Sequence, residues 1–114
     1  MALNRFEVHL VNLDPTVGRE IKKSRPCVVI QNDIGNAHSA LTIVAAITDA
    51  AHVPKLYPVN VLVRKGDGGL AKDSVVLCNQ IRTVDEIRFG KMYGKLSETT
   101  MKEIDKALRI SLAL

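Results

Sequence analysis

The chain predicts a small, strongly bent antiparallel β-barrel closed by one C-terminal helix. Three observations carry this expectation. Short apolar runs rich in Val and Ile recur between clusters of Gly, Pro, Asn and Asp, the pattern of strands and turns. Only Phe6, Tyr57, Phe89 and Tyr93 are aromatic, so the core must be aliphatic. The last segment alone changes to helical spacing, with Met101, Ile104, Leu108 and Leu112 on one stripe. A length of 114 residues fits one domain spanning 1–114. A chain of that size buries about two-thirds of its surface, enough for a core without disulfides or metal.

The elements follow in order. Val8–Leu13 alternates loosely and reads as the first strand. Asp14-Pro15-Thr16-Val17-Gly18 is turn chemistry and opens a basic loop. Pro26 lacks an N–H and suits a strand's first residue, and it biases Arg25 toward extended geometry. Cys27–Gln31 then reads as a central strand, apolar on both faces. Residues 32–36 form a turn and 37–40 a loop of small and polar residues. In the third strand, Leu41–Thr48, Leu41, Ile43, Ala45 and Ile47 share one face, while Thr42, Val44, Ala46 and Thr48 share the other. Residues 49–58 connect to a fourth strand at Val59–Arg64, and Lys65–Gly69 makes a hairpin-like turn. Ser74–Cys78 is a fifth strand running into residues 79–83. A helical turn is expected at Thr83–Phe89 and a short strand at Met92–Leu96. Ser97 is the expected N-cap of the closing helix, supported by Glu98–Lys102 and Asp105–Arg109 pairs.

The formal net charge is +4, and its placement matters more than its size. Residues 19–25 carry Arg19, Lys22, Lys23 and Arg25 against Glu20 alone, whereas the segment from Ser97 is balanced. The excess therefore sits in loops where a polyanion can reach it; ordinary basic solubility is the bland alternative. Cys27 and Cys78 lie in apolar runs without Cys-x-x-Cys spacing and read as core thiols of a reducing, cytoplasmic compartment, with a cross-strand disulfide as the alternative. No apolar segment approaches the ~20 residues of a membrane span, so no membrane partner is expected.

Metal catalysis has little support. His9, His38 and His52 are scattered and read as surface or packing residues, no cluster has ligand spacing, and no cofactor is expected. The glycines at 66, 68 and 69 lack a following helix and fit a turn better than a phosphate cradle. One reaction suits a basic groove without metal. RNA carries its own nucleophile, the 2′-OH, and needs only proton transfer and cations for the phosphorane charge. Arg25 on its stiff mount can grip a phosphate at two points, Thr48 can add a hydrogen bond and Glu20 can act as base. Barrel curvature would bring Arg25, Thr48 and Gln80 to one rim.

Several segments together resemble the MazF/PemK toxins, endoribonucleases of bacterial toxin–antitoxin pairs. They are Asp14-Pro15-Thr16-Val17-Gly18-Arg19-Glu20, Arg25-Pro26 with Val28–Asp33, Ile47-Thr48, Gly69-Leu70 with Asp73-Ser74, and Gln80-Ile81-Arg82-Thr83-Val84-Asp85, with Leu96-Ser97 and the closing helix. The match is collinear and covers nearly the whole chain. It implies an SH3-like (CcdB/PemK-type) barrel, a homodimer, and sequence-specific, ribosome-independent cleavage of single-stranded RNA to 2′,3′-cyclic phosphate and 5′-OH ends. It further implies a cognate antitoxin whose acidic C-terminal tail lies over the RNA groove. The implied catalytic positions are Arg25 and Thr48, with Glu20 in support. The implied RNA contacts are Arg19, Lys22, Lys23, Gln31, Asn32, Asn36, Gln80, Arg82 and Thr83.

The chain also departs from the family pattern. Phe6 stands where the family has glycine, and His9 replaces an aromatic; both read either as base-stacking groups or as packing residues. Asn79 stands where an acid is frequent, and Arg19 where a small hydroxyl residue is common. These changes point to an altered RNA preference. Two other readings fit the same fold: a non-catalytic CcdB-like gyrase poison or DNA-binding regulator, and an inactive structural dimer. Ile110 and Leu114 broaden the apolar stripe of the terminal helix beyond what one barrel face needs, which favours pairing of two copies.

Overall fold

The computed structural model describes residues 3–114. Six strands form one antiparallel sheet: β1 (Glu7–Asn12), β2 (Ser24–Val29), β3 (Leu41–Asp49), β4 (Asn60–Val63), β5 (Ser74–Asp85) and β6 (Phe89–Lys95). A short helix α1 (Asp33–His38) follows β2, and α2 (Glu98–Leu112) closes the chain. The strand order is β4-β5-β3-β2-β1-β6. The expected mainly β architecture with a C-terminal helix is therefore present. The sheet bends at a break in register within β5, but β4 and β6 remain its two edges, and among the described residues no ladder joins them into the expected closed barrel.

The bend has a local cause. Ala45 pairs with Ile81 but Ala46 pairs with Leu77, so Cys78, Asn79 and Gln80 stand between two registers. The extra residues turn β5 sharply at this bulge. β4 pairs only with the part before it, Ser74–Leu77. The two sheet faces then bury separate aliphatic clusters. Val8, Val28, Ala45 and Ile47 pack under α2 with Ile104 and Leu108. Val11, Cys27, Val29, Val44 and Val84 pack on the other face with Leu13 and Ala46. The alternation expected for β3 and the two-faced burial expected for β2 both hold.

Several expectations need correction. Pro26 is the third residue of β2, not the first; it is tolerated because β2 pairs with β3 only from Cys27 onward, leaving Pro26 a ladder partner on one side. The supposed turn and loop at 32–40 contain α1, capped by Asn32, whose side chain accepts from the Gly35 N–H at 2.8 Å. β5 continues to Asp85, so the helical turn shrinks to Glu86–Arg88. Ser97 caps α2 as expected, but Ala107 and Thr100 are buried whereas Leu112 is 50% exposed. The Glu98–Lys102 and Asp105–Arg109 pairs are not among those formed by the described residues; Asp105 bridges to Arg5 at 2.9 Å. Phe6 and His9 are both buried, Phe6 at a left-handed φ of 71° and His9 bonded to Glu7 at 2.9 Å, which leaves neither face free for a base. Cys27 and Cys78 are free thiols on opposite faces of the sheet.

Asp67 joins two parts of the fold. Its carboxylate accepts from the Ser97 N–H (2.8 Å), the Ser97 hydroxyl (3.0 Å) and the Thr100 hydroxyl (2.6 Å), tying the β4–β5 turn to the start of α2. The same turn lies so close to β6 that a Cβ at Gly69, itself at φ 75°, would stand 2.1 Å from the Tyr93 carbonyl oxygen.

Candidate active site

Arg25 is the second residue of β2 and pairs with Val11 of β1. Its Nε donates to the Lys22 carbonyl at 2.8 Å, which fixes the guanidinium against the basic loop. Its Nη1 lies 3.4 Å from Thr48 Oγ1 near the end of β3. Thr48 is buried and pairs with Val75, so its hydroxyl has little freedom to move. The two side chains, 23 residues apart in sequence, thus meet at one point.

They meet in a cleft of about 300 Å³. Arg25 and Pro26 form one wall, and Ile47, Thr48 and Asp49 another. His52, the Leu70–Lys72 segment, Ser74 and Tyr93 complete it. Asp49 caps a 3₁₀ turn at Ala50–His52 by accepting from the Ala51 N–H at 2.9 Å, and Lys72 Nζ lies 3.5 Å from its other oxygen. The hydrogen bond from the Ala51 N–H does most to hold the Asp49 carboxyl below the ordinary range; desolvation opposes it, and Lys72 and His52 add to the lowering. A second groove, of about 310 Å³, continues from His52 past Val53, Pro54 and Lys55 to Tyr57. Tyr57 is 58% exposed, and Lys55 Nζ lies 5.4 Å from its ring centroid.

The basic loop is held down by residues of the sheet. Arg82 Nη1 donates to the Leu13 carbonyl at 2.7 Å, and Arg88 Nη1 donates to the carbonyls of Asn12 (3.1 Å) and Asp14 (2.6 Å). Gln80 Oε1 accepts from the Ile21 N–H at 3.4 Å. With the loop so tied, Arg19, Lys22 and Lys23 project into solvent.

Not every expected site residue joins the cleft. Glu20 accepts from the Val17 N–H and lines a separate cavity of about 50 Å³ with Gln80 and Arg82. Gln80 does not line the cleft of Arg25 and Thr48, but it lines both this cavity and the Tyr57 groove that adjoins the cleft at His52, so the expected convergence of the three is one of neighbouring pockets. Asn36 is buried and spent on Gln31 and Thr42, and Gln31 donates to Asn36 and the Leu41 carbonyl. Asn32 caps α1, and Thr83 is exposed but lines neither the cleft nor the groove. Asp49, His52, Lys72 and Tyr93 belong to the cleft without having been expected there. The available signal was the Thr48-Asp49-x-x-His52 run, an Asx-capped turn leading straight off the strand that ends beside Arg25. Among the described residues no group of three or more His, Cys, Asp or Glu side chains is placed to hold a metal ion. No helix among them is long and apolar enough to cross a membrane.

A bent six-stranded sheet, with a guanidinium and a hydroxyl facing each other across a cation-lined cleft, defines a class of small β domains suited to gripping an anion. Comparison with known proteins makes the class specific. Residues 4–112 match the PemK-like, MazF-like toxins of type II toxin–antitoxin systems, and the chain belongs to that family. It is 46% identical over 112 residues to endoribonuclease MazF of Staphylococcus epidermidis, an alignment covering 98% of this chain and 92% of that protein. The fold is shared with MazF (Form-I) from Deinococcus radiodurans, with a TM-score of 0.84 at 21% identity over 100% of this chain and 99% of that one. It is also shared with an endoribonuclease solved in complex with its cognate antitoxin from Mycobacterial species, at a TM-score of 0.83 and 23% identity over 99% and 97% of the two chains.

Proposed function

We propose that this chain is a metal-independent, ribosome-independent endoribonuclease toxin that cuts single-stranded RNA at short sequences, leaving 2′,3′-cyclic phosphate and 5′-OH ends. The observation that carries the reading is the Arg25–Thr48 contact at 3.4 Å inside the 300 Å³ cleft. A phosphodiester placed there meets a fixed positive fork and a hydroxyl donor together. As the 2′-OH attacks, charge builds on the non-bridging oxygens, and preorganised donors aimed at that charge lower the barrier. Arg25 supplies charge rather than proton transfer, because a guanidinium holds its protons above pH ~12. Arg19, Lys22 and Lys23 attract the backbone, and Tyr57 with Lys55 offers a stacking face for a base in the adjoining groove. Glu20, Gln80 and Arg82 serve this function by shaping the loop that carries Arg25.

The cleft's basic rim suits a cognate antitoxin whose acidic tail imitates the RNA backbone, as the antitoxin complex of a structural relative encourages. Two copies pair in this reading; the uncovered Ile110 and Leu112 on α2 and the open edges β4 and β6 support it.

The test is a digest of a defined single-stranded RNA with the purified chain in the presence of a chelator, with product ends assigned by mass spectrometry. Cyclic phosphate and 5′-OH ends, abolished by a 2′-deoxy substitution at the cut site, are expected. Intact RNA at stoichiometric protein, with tight binding to duplex DNA, would turn the account toward a non-catalytic binder.

A further inference from the structure

Resting on the RNA-cleavage reading, one step remains unassigned: which group protonates the departing 5′-oxygen. Transesterification forms the 2′O–P bond and breaks the P–O5′ bond, and the 5′-oxygen leaves poorly as a bare alkoxide. Arg25 and Thr48 hold their protons too tightly to give one up near neutral pH. Phenols and ammonium groups are as classes weaker acids than an imidazolium, and the Lys72 ammonium is engaged with Asp49 at 3.5 Å. Glu20 lines a different cavity. His52 is the sole imidazole on the cleft wall, and imidazoles titrate in the range where one group both carries and releases a proton.

We infer that His52, as the imidazolium, is the general acid that donates its proton to the 5′-oxygen leaving group, while the 2′-OH proton passes to solvent water. Two geometric facts favour it. First, the backbone that carries the exposed ring is held in place. The Asp49 carboxylate accepts from Ala51 N–H, the Val53 N–H donates to the Ala50 carbonyl at 3.1 Å, and the Ala50 N–H donates to the Asp73 carbonyl at 3.0 Å. This fixes the 3₁₀ turn four residues beyond Thr48. Second, His52 lines both the Arg25–Thr48 cleft and the Tyr57 groove, so a strand crossing from one to the other passes the ring. The nucleotide that carries the leaving oxygen then lies in the Tyr57 groove. The charged and titratable groups around the ring are Arg25, Asp49, Lys72 and Tyr93 on the cleft side and Lys55 and Tyr57 on the groove side.

The experiment compares the wild-type chain with His52→Gln and His52→Asn on two RNAs. One is ordinary; the other carries sulfur in place of the bridging 5′-oxygen at the cut site, and its thiolate leaves without a proton. Both variants should lose about 10²–10³-fold in kcat on ordinary RNA. They should stay within about tenfold of wild type on the sulfur-bridged RNA, and the alkaline fall of the wild-type rate profile should flatten. Equal losses on both RNAs would make His52 a binding or structural residue and overturn the assignment, as would no loss on either. A wild-type chain that cuts neither RNA fails the nuclease reading itself, an outcome distinct from a wild-type chain that cuts both and a His52 variant that matches it.

Discussion

Replacing Arg25 by lysine keeps the charge and removes the geometry. The guanidinium uses Nε on the Lys22 carbonyl at 2.8 Å and places Nη1 3.4 Å from Thr48 Oγ1, leaving N–H groups on both terminal nitrogens for a phosphate. An ammonium has one nitrogen and can replace at most one of these contacts, so it either stays tethered to the loop or reaches the phosphate. Losing one preorganised donor to a developing oxyanion costs about 2.7–4 kcal/mol, or about 10²–10³-fold in kcat. We expect Arg25→Lys to fall near the lower end, since a cation remains, and Arg25→Ala near or beyond the upper. KM should change less than about threefold for the lysine variant, because encounter with the backbone depends on net charge. The assay is cleavage of a fluorogenic single-stranded oligoribonucleotide at saturating and subsaturating concentrations, with thermal melts to confirm folding. A lysine variant within threefold of wild-type kcat would refute the argument that the fork, rather than the charge, does the chemistry.

Other outcomes follow from the fold. Asp67→Asn should cost about 1–2 kcal/mol at pH 7 in urea unfolding, the scale of a lost helix cap with unpaired hydroxyls. Burial alone would raise the Asp67 carboxyl, but the bonds from Thr100 and Ser97 outweigh it and hold the group below its ordinary range. A depressed folded-state value means that this stability is present above about pH 4 and is lost as pH falls through the lowered value, so wild type and variant should converge in acid. Gly69→Ala combines a left-handed φ with a Cβ 2.1 Å from the Tyr93 carbonyl oxygen, and should lower stability by about 2 kcal/mol or more in the same unfolding assay. Burial pushes the Cys27 thiol up to about 12 and the Cys78 thiol up to about 11, so neither should react with a thiol reagent in native protein, and both should react in denaturant.

The parts of the fold that local pattern controls were legible in the residues. β3 alternates cleanly because its two faces meet two different cores, and the α2 start is set by a serine cap that needs only its own chain. What sequence missed depends on contacts distant in the chain. α1 is too short for a periodic stripe and holds a glycine, so it looks like a turn until Asn32 is seen capping it. Arg82, expected to contact RNA, also donates to the Leu13 carbonyl 69 residues earlier, a bond that no local pattern shows. Leu112 fits the helical stripe, yet it stays half exposed at the mouth of an open groove that it lines with Ile43 and Ile81 of the sheet. The departure at position 6 is instructive: the backbone keeps the left-handed φ that glycine adopts easily, and the Phe6 ring compensates by entering the core under the Arg5 guanidinium, 4.2 Å from the ring centroid. In the candidate site, Arg25 and Thr48 were legible through motif and strand position. Glu20 lies outside the cleft because the β1–β2 loop folds its carboxylate back onto Val17, and the place of His52 on the cleft wall was not legible because a lone histidine gains meaning only from its neighbours.

The central claim concerns one phosphate and two side chains. A crystal structure of the chain with a single-stranded oligonucleotide, made uncleavable by a 2′-deoxy group at the cut site, tests it directly. The scissile phosphate should lie within hydrogen-bond distance of both the Arg25 guanidinium and the Thr48 hydroxyl, with the following base toward Tyr57. A backbone that bypasses this cleft, with its phosphate seated against Glu20 and Arg82 or along another face of the sheet, would contradict the account.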